Sequence, residues 1–355
     1  MKKKRVGING FGRIGRAIFR INLLKKYFDV VAINDLGTNT ANLAYMLKYD
    51  SIHGVLREDV EFIHQASTDK DWTTNEIRVG NEPIKVFSES KNFDVPWNEL
   101  GVDVVIDASG NVQNLENADK CLGLSVKKII FTNSPSAGVD FTLVLGVNDH
   151  KYDKKKHRII AASICDVVGM SPAVKVIEEK FGIESGFITT LHPWLSYQNL
   201  LDGRPSTVEF KEKPGIYDDS THHVMGRASI NALIPKKTSA VHAMEIVLPE
   251  IKGKIESMSY RVPTDVVTTG IVILRIKEKT NVTTLKDLFR TSSKEPFMLY
   301  TEEPRISVDY KHCDTSCIID GKWIDVVDER LIRFTAWYDN EWGYSARVVD
   351  AVNFL

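Results

Sequence analysis

The segment Gly10-Phe11-Gly12-Arg13-Ile14-Gly15 constrains this chain more than any other. It follows an apolar run at 5–9 and opens a stretch, 13–26, with helical spacing through Ile14, Ala17, Ile18 and Ile21. Glycines at a strand-to-helix junction allow a tight turn. They also bring backbone amides close to a pyrophosphate, whose charge the helix N-terminus favours. A second apolar strand at 30–34 leads into Asp35, 20 residues beyond Gly15. A carboxylate there can accept hydrogen bonds from an adenosine ribose and would repel a 2′-phosphate, so NAD is expected over NADP. The cradle therefore comprises Asn9 through Gly15 together with Asp35. A third strand ends in Asp107-Ala108-Ser109-Gly110, which makes Ser109 and Gly110 the expected floor for the nicotinamide half.

Strand and helix patterns alternate through 102–108, 115–122 and 128–132, as in a doubly wound parallel sheet of Rossmann type. The pattern changes from Asp166 onward. One helix is predicted as far as Lys180, and strands then dominate at 186–191, 257–262, 268–276 and 331–338, as in a mixed sheet. The expected fold is thus α/β, an NAD-binding domain at 1–164 completed by a C-terminal helix at 339–355, plus an α+β catalytic domain at 165–338. With 355 residues the chain is long enough for two cores. The polar stretch 201–224, with Pro205, Pro214 and His222-His223, is expected to be a long exposed loop, its departure from the usual length centred on 203–226.

A net charge of −1 and only short basic runs, at 2–5 and 154–158, argue against a nucleic-acid partner. No apolar run reaches the roughly 20 residues of a membrane helix, and none near the start has the length of a signal peptide. Four scattered cysteines fit a reducing cytoplasm. His312, Cys313 and Cys317 lack a second ligand pair, so no metal is expected.

Among the cysteines, Cys165 follows a short strand at 158–162 and opens the long helix. The helix dipole there favours thiolate. His192 ends the strand at 186–191 and is a candidate general base for that thiol. Taken singly, the pair could also be a buried cysteine and a structural histidine.

Assembled, these residues resemble the glyceraldehyde-3-phosphate dehydrogenase family over essentially the whole chain. The similarity is carried by Val6 to Arg16, by Ala32-Ile33-Asn34-Asp35 and by Tyr49-Asp50-Ser51-Ile52-His53-Gly54. It continues in Thr189-Thr190-Leu191-His192, Arg261-Val262-Pro263-Thr264 and Trp337 through Ser345. The resemblance implies that Cys165 adds to an aldehyde and that His192 handles the hydroxyl proton, leaving an acyl thioester. It implies that Asn340, with Tyr344 nearby, fixes the nicotinamide. Arg261 would bind a substrate phosphate, with Arg227, Thr238 and Ser239 around the phosphate sites. It also implies a homotetramer and a small, phosphorylated aldehyde substrate.

The departures from the family gather around the thiol. The family reads Ser-Asn-Ala-Ser-Cys-Thr-Thr-Asn there, and this chain reads Ala161-Ala162-Ser163-Ile164-Cys165-Asp166-Val167-Val168. The two hydroxyl side chains that help bind the attacking phosphate are replaced by Ile164 and Asp166. Leu195 replaces a threonine that touches the substrate phosphate, and the segment 237–242 has lost a glycine. Two like charges about 6 Å apart at an effective dielectric near 20 repel by roughly 3 kcal/mol, or about a hundredfold in phosphate binding. Asp166 is also expected to raise the thiol pKa against the helix dipole. Three readings stay open at this point. The first is a phosphorylating dehydrogenase with a remodelled pocket. The second is a paralogue that passes its thioester to water or another acceptor. The third is an NAD-binding homologue without turnover.

Overall fold

The computed structural model describes residues 3–36, 39–63, 75–203 and 224–355. Most of the loop expected at 203–226 lies outside the described residues. Packing divides the chain into two units, Met1–Ile164 with Tyr344–Leu355, and Cys165–Gly343. Residues 339–343 thus group with the second unit. Asp339 there accepts the His312 N–H at 2.9 Å, and the Trp342 indole donates to Asp314 at 2.8 Å.

In the first unit the strands are β1 (Lys4–Asn9), β2 (Phe28–Asn34), the short pair β3 (Tyr49–Asp50) and β4 (Gly54–Val55), β5 (Val60–Ile63), β6 (Glu76–Val79) and β7 (Glu82–Phe87). They continue as β8 (Val104–Asp107), β9 (Lys128–Phe131), β10 (Phe141–Thr142) and β11 (Ile159–Ala161). Nine of them form one sheet in the order β10-β11-β9-β8-β1-β2-β7-β6-β5. From β10 to β7 every pairing is parallel. Val6, Ile8, Ile33, Val105, Ile106, Ile129 and Ile130 are fully buried there, as expected of strands covered on both faces. The antiparallel edge β5-β6-β7 lies outside the strand–helix alternation read from the sequence; Ile77, Val79, Ile84 and Val86 there alternate with charged residues and are buried. The Glu76 carboxylate on that edge accepts from Arg78 at 2.6 Å and Lys85 at 3.1 Å.

The helix α1 (Arg13–Lys25) leaves the glycine turn after β1. Gly10 has φ of 88°, and a Cβ there would lie 2.5 Å from the Ser109 backbone, so only glycine fits this crossing of two loops. Gly10 N–H donates to Asn34 and Ala108 N–H to Asn9, each at 2.7 Å, tying together the carboxyl ends of β1, β2 and β8. Beneath that junction the buried Asp107 carboxylate accepts from Asn9 (2.8 Å), Asn92 (2.9 Å), Asn114 (3.0 Å) and the Ser109 hydroxyl (2.6 Å). Burial raises its pKa, and these donors oppose the rise.

The first unit also carries α2 (Thr40–Lys48), α3 (Val112–Glu116) and α4 (Ala118–Cys121), and the second unit opens on helix α5 (Cys165–Phe181). The strands are β12 (Ile183–Pro193), β13 (Ile234–Lys237), β14 (Ile255–Val262), β15 (Thr268–Ile276), β16 (Met298–Thr301), β17 (Cys317–Asp320), β18 (Asp325–Val327) and β19 (Leu331–Tyr338). The sheet order is β13-β14-β12-β15-β19-β17-β16, with β12 parallel to β14 and antiparallel to β15. Helices α6 (Ala240–Val247) and α7 (Val282–Ser292) belong to this unit, and α8 (Trp342–Phe354) ends the chain.

Helix α5 buries Val167, Met170, Val174 and Ile177 against β15, β17 and β19. Gly169 makes the closest approach possible, because a Cβ there would lie 2.4 Å from the Tyr338 ring. Replacing it with alanine, Gly169→Ala, should force that ring aside at a cost of about 1–3 kcal/mol. Urea unfolding would measure the loss, and an unchanged midpoint would show that the ring has room to move.

Candidate active site

Helix α5 begins at Cys165, and β12 carries His192 one residue before its end. The two side chains meet in the second unit, with Sγ 3.7 Å from His192 Nε2. His192 Nδ1 lies 2.7 Å from the Pro193 carbonyl oxygen. A carbonyl only accepts, so Nδ1 carries the proton and Nε2 turns its lone pair to the sulphur. Asp166 also faces the thiol, which can donate to its Oδ1 at 3.7 Å. The same oxygen accepts from the Tyr338 hydroxyl at 2.8 Å. Asp166 and His192 are buried, while Cys165 keeps a partly accessible face.

These contacts decide protonation. Burial raises the Cys165 pKa well above the usual thiol value, and the Asp166 charge adds to the rise; the Arg261 guanidinium works the other way. Burial lowers the His192 pKa from 6.5 to about 4, assisted by Arg261, with Asp166 opposing. The resting pair is therefore a thiol beside a neutral imidazole. Tyr338 is raised as well, through burial and then the Asp166 charge. Buried Cys121 and Cys317 are pushed up to about 12 by burial first, which makes them inert thiols.

Arg261 on β14 stands directly beside His192 in the parallel ladder. It is buried; Nη2 donates to the Tyr197 hydroxyl at 3.4 Å, while its Nε has no hydrogen-bond partner. Lys236 donates to the same hydroxyl at 3.1 Å. Tyr197 and Tyr338 were missed as site residues in the sequence. A tyrosine has no diagnostic spacing, although Tyr338 sits inside the Trp337–Ser345 run that marks the family. The other phosphate-site candidates have local partners. Arg227 pairs with Asp202 at 3.1 Å, the Thr238 hydroxyl accepts from the Ala240 N–H at 3.1 Å, and Ser239 is the N-cap of α6 without a side-chain cap bond. Asn340 is buried, with Oδ1 accepting from Thr268 at 3.3 Å.

In the first unit, Asn9, Gly10, Gly12, Asp35 and Ser109 line one concavity. Asp35 accepts the Phe11 N–H at 2.5 Å, and burial raises its pKa. A Cβ at Gly12 or at Gly110 would meet nothing within 4 Å, so open space lies over both loops. Gly15 is tight for another reason, since its Cβ would lie 2.2 Å from the Gly10 carbonyl where helix meets strand. The donor set fits a dinucleotide: small residues leave room for the pyrophosphate, and a carboxylate is present for the ribose. The side chains of three expected contributors have partners within the protein. The Phe11 ring is buried against Phe19, so only its backbone faces Asp35. Arg13 pairs with Asp50 at 3.2 Å, and Tyr344 donates to the Ser163 carbonyl at 2.9 Å.

Among the described residues, the one group of histidine, cysteine and acidic side chains whose ligating atoms converge is Cys165, Asp166 and His192, all within 4.8 Å of one another. His312, Cys313 and Cys317 form no such group.

Two family models match the chain. Residues 4–115 match the glyceraldehyde 3-phosphate dehydrogenase NAD binding domain, and residues 164–340 match the C-terminal domain of the same family. Glyceraldehyde-3-phosphate dehydrogenase 1 of Bacillus cereus is 35% identical over 99% of this chain and 98% of its own length. Glyceraldehyde-3-phosphate dehydrogenase 2 of Streptomyces avermitilis is 36% identical over the same shares. A relative from Arabidopsis thaliana, named as cytosolic, is 34% identical over 99% of this chain and 97% of its own. The site and the fold define an NAD-dependent oxidoreductase. The chain belongs to the glyceraldehyde-3-phosphate dehydrogenase family, with a Rossmann-type domain, an α+β domain and NAD as its cofactor.

The depressed His192 pKa has a consequence for stability. Protonation favours the unfolded chain, so the stabilisation is present above pH 6.5 and is lost as pH falls toward 4. A shift of this size corresponds to about 3 kcal/mol. Denaturant titrations across that window should show a steeper loss for the native protein than for His192→Gln; equal slopes would mean His192 is not buried as the neutral form.

Proposed function

We propose that this protein oxidises glyceraldehyde 3-phosphate with NAD and releases the acyl group to inorganic phosphate, in the cytoplasm and as a homotetramer. The observation that carries the chemistry is the oriented pair, Sγ 3.7 Å from the lone pair of His192 Nε2. Sγ attacks the aldehyde carbon and forms the C–S bond, while the thiol proton passes by way of Nε2 to the carbonyl oxygen, which becomes a hydroxyl and leaves Nε2 neutral again. Nε2 then draws off that hydroxyl proton as hydride leaves the same carbon, which restores the C=O as a thioester. NAD supplies the hydride acceptor. A phosphate oxygen finally attacks the thioester carbon, and the departing sulphur recovers a proton.

Substrate binding rests on Arg261, a buried guanidinium with an unpartnered Nε beside the Tyr197 hydroxyl and Lys236. Arg227, Thr238 and Ser239 are proposed as secondary phosphate contacts. Asn9 to Gly15, Asp35, Ser109 and Gly110 would hold the cofactor, with Asn340 orienting the carboxamide and Tyr344 bracing the segment beside it. The cytosolic relative supports the location. The tetramer is supported by apolar side chains on the second sheet: Phe187 and Ile273, directly opposed between β12 and β15, are 67% and 37% exposed. Exposed apolar neighbours of this kind mark an association surface.

Asp166 leaves the chemistry in place and taxes its last step, because its charge repels the incoming phosphate. NADH formation from glyceraldehyde 3-phosphate should require phosphate or arsenate, and Asp166→Thr should lower the KM for phosphate by about ten- to a hundredfold. Steady-state NADH production that proceeds undiminished without either anion would overturn the phosphorylating reading.

A further inference from the structure

We infer that Cys165, Asp166 and His192 form a site for a single divalent transition-metal ion of the zinc or cobalt class, and that its occupancy switches the nucleophile off. The inference concerns ligation and holds whichever aldehyde the enzyme turns over. The side chains supply one sulphur, one imidazole nitrogen and one carboxylate oxygen, the donor set that such ions prefer. Sγ lies 3.7 Å from both Nε2 and the Asp166 carboxylate, and all three atoms lie within 4.8 Å of one another. Bonds of about 2.3 Å to sulphur and 2.0–2.1 Å to nitrogen and oxygen put tetrahedral ligands about 3.3–3.6 Å apart, so contraction of a few tenths of an ångström to about 1.5 Å closes the site.

The surroundings are prepared in the same sense. The Pro193 carbonyl fixes His192 as the tautomer whose Nε2 lone pair faces the sulphur. The Tyr338 hydroxyl holds Asp166 Oδ1 at 2.8 Å. Metal-bound imidazoles and carboxylates are characteristically oriented by such outer partners. With its proton on Nδ1, the ring offers the Nε2 lone pair to the ion, so no proton need leave His192. Only the thiol proton is displaced: the S–H bond breaks, a metal–sulphur bond forms, and the proton goes to water without any redox change. The Oδ1 lone pair that accepted the S–H becomes free for the ion, while Tyr338 keeps the other. A thiolate and a carboxylate neutralise a 2+ ion, which offsets the adverse charge of Arg261. With three protein ligands, a fourth position stays open to water. The threonine that the family places after its cysteine offers no anionic oxygen, so the site is specific to the Asp166 substitution.

Cobalt(II) is the probe, added to the reduced, chelator-stripped full-length protein with NAD present. One ion per chain should bind, with a near-ultraviolet thiolate-to-cobalt charge-transfer band and the visible bands of tetrahedral cobalt. Cys165→Ser should abolish the charge-transfer band, and Asp166→Asn should weaken binding at least tenfold. Tyr338→Phe, which removes only the outer hydrogen bond, should weaken it about ten- to a hundredfold. It carries the test if circular dichroism shows that Asp166→Asn does not fold. Cobalt binding without the thiolate band, or wild-type affinity in a folded Asp166→Asn or Tyr338→Phe protein, would overturn the site.

Discussion

The hydrogen bond from the Tyr338 hydroxyl to Asp166 is the constraint on which the rest of the site depends. A carboxylate at the first turn of a helix is favoured by the dipole, but this one is also buried beside a thiol. The Tyr338 hydroxyl gives the buried carboxylate its donor at 2.8 Å. Tyr338 can reach it because Gly169, one turn further along α5, lets the ring lie flat on the helix backbone. The glycine, the ring and the carboxylate thus act as one unit, contributed by α5 and β19.

That unit sets the electrostatics of the nucleophile. A nucleophilic cysteine gains from being a thiolate beside an imidazolium, yet here both proton equilibria move away from that pair. Burial does most of this, and Asp166 divides its effect: it disfavours the thiolate and partly rescues the imidazolium. Arg261 exerts the opposite pair of effects. The proton of the thiol is consequently held among Sγ, Nε2 and a carboxylate oxygen. Addition to an aldehyde then needs that proton to move in the same event as the C–S bond forms, which is slower than attack by a preformed thiolate. The same three atoms, relieved of one proton, become a metal-binding face.

Much of this was legible in the sequence. The glycine turn, Asp35 and the parallel strands around β1 follow from short-range spacing and apolar runs, and β15 and β19 coincide with the apolar segments read at 268–276 and 331–338. The edge strands β5 to β7 were not legible, because they are short hairpin-paired strands outside the strand–helix alternation, although Ile77, Val79, Ile84 and Val86 are buried. Residue identity put Cys165, Asp166 and His192 in question, but it could not give direction. That Asp166 turns inward follows from Tyr338, 172 positions away. The Asp107 network was hidden for a similar reason, since Asn92 and Asn114 acquire their function only where the β8 junction closes over them. Arg13 and Phe11 show the converse. Both lie in the nucleotide motif, yet their side chains serve Asp50 and the core.

Burial keeps Cys165 protonated, and the inward carboxylate of Asp166 adds to that effect. The most direct measurement is the pH dependence of Cys165 alkylation by iodoacetamide, compared between the native protein and Asp166→Thr. The expected result is a native midpoint above the ordinary thiol range and a lower one in the variant. Superimposable profiles would show that Asp166 does not act on the thiol.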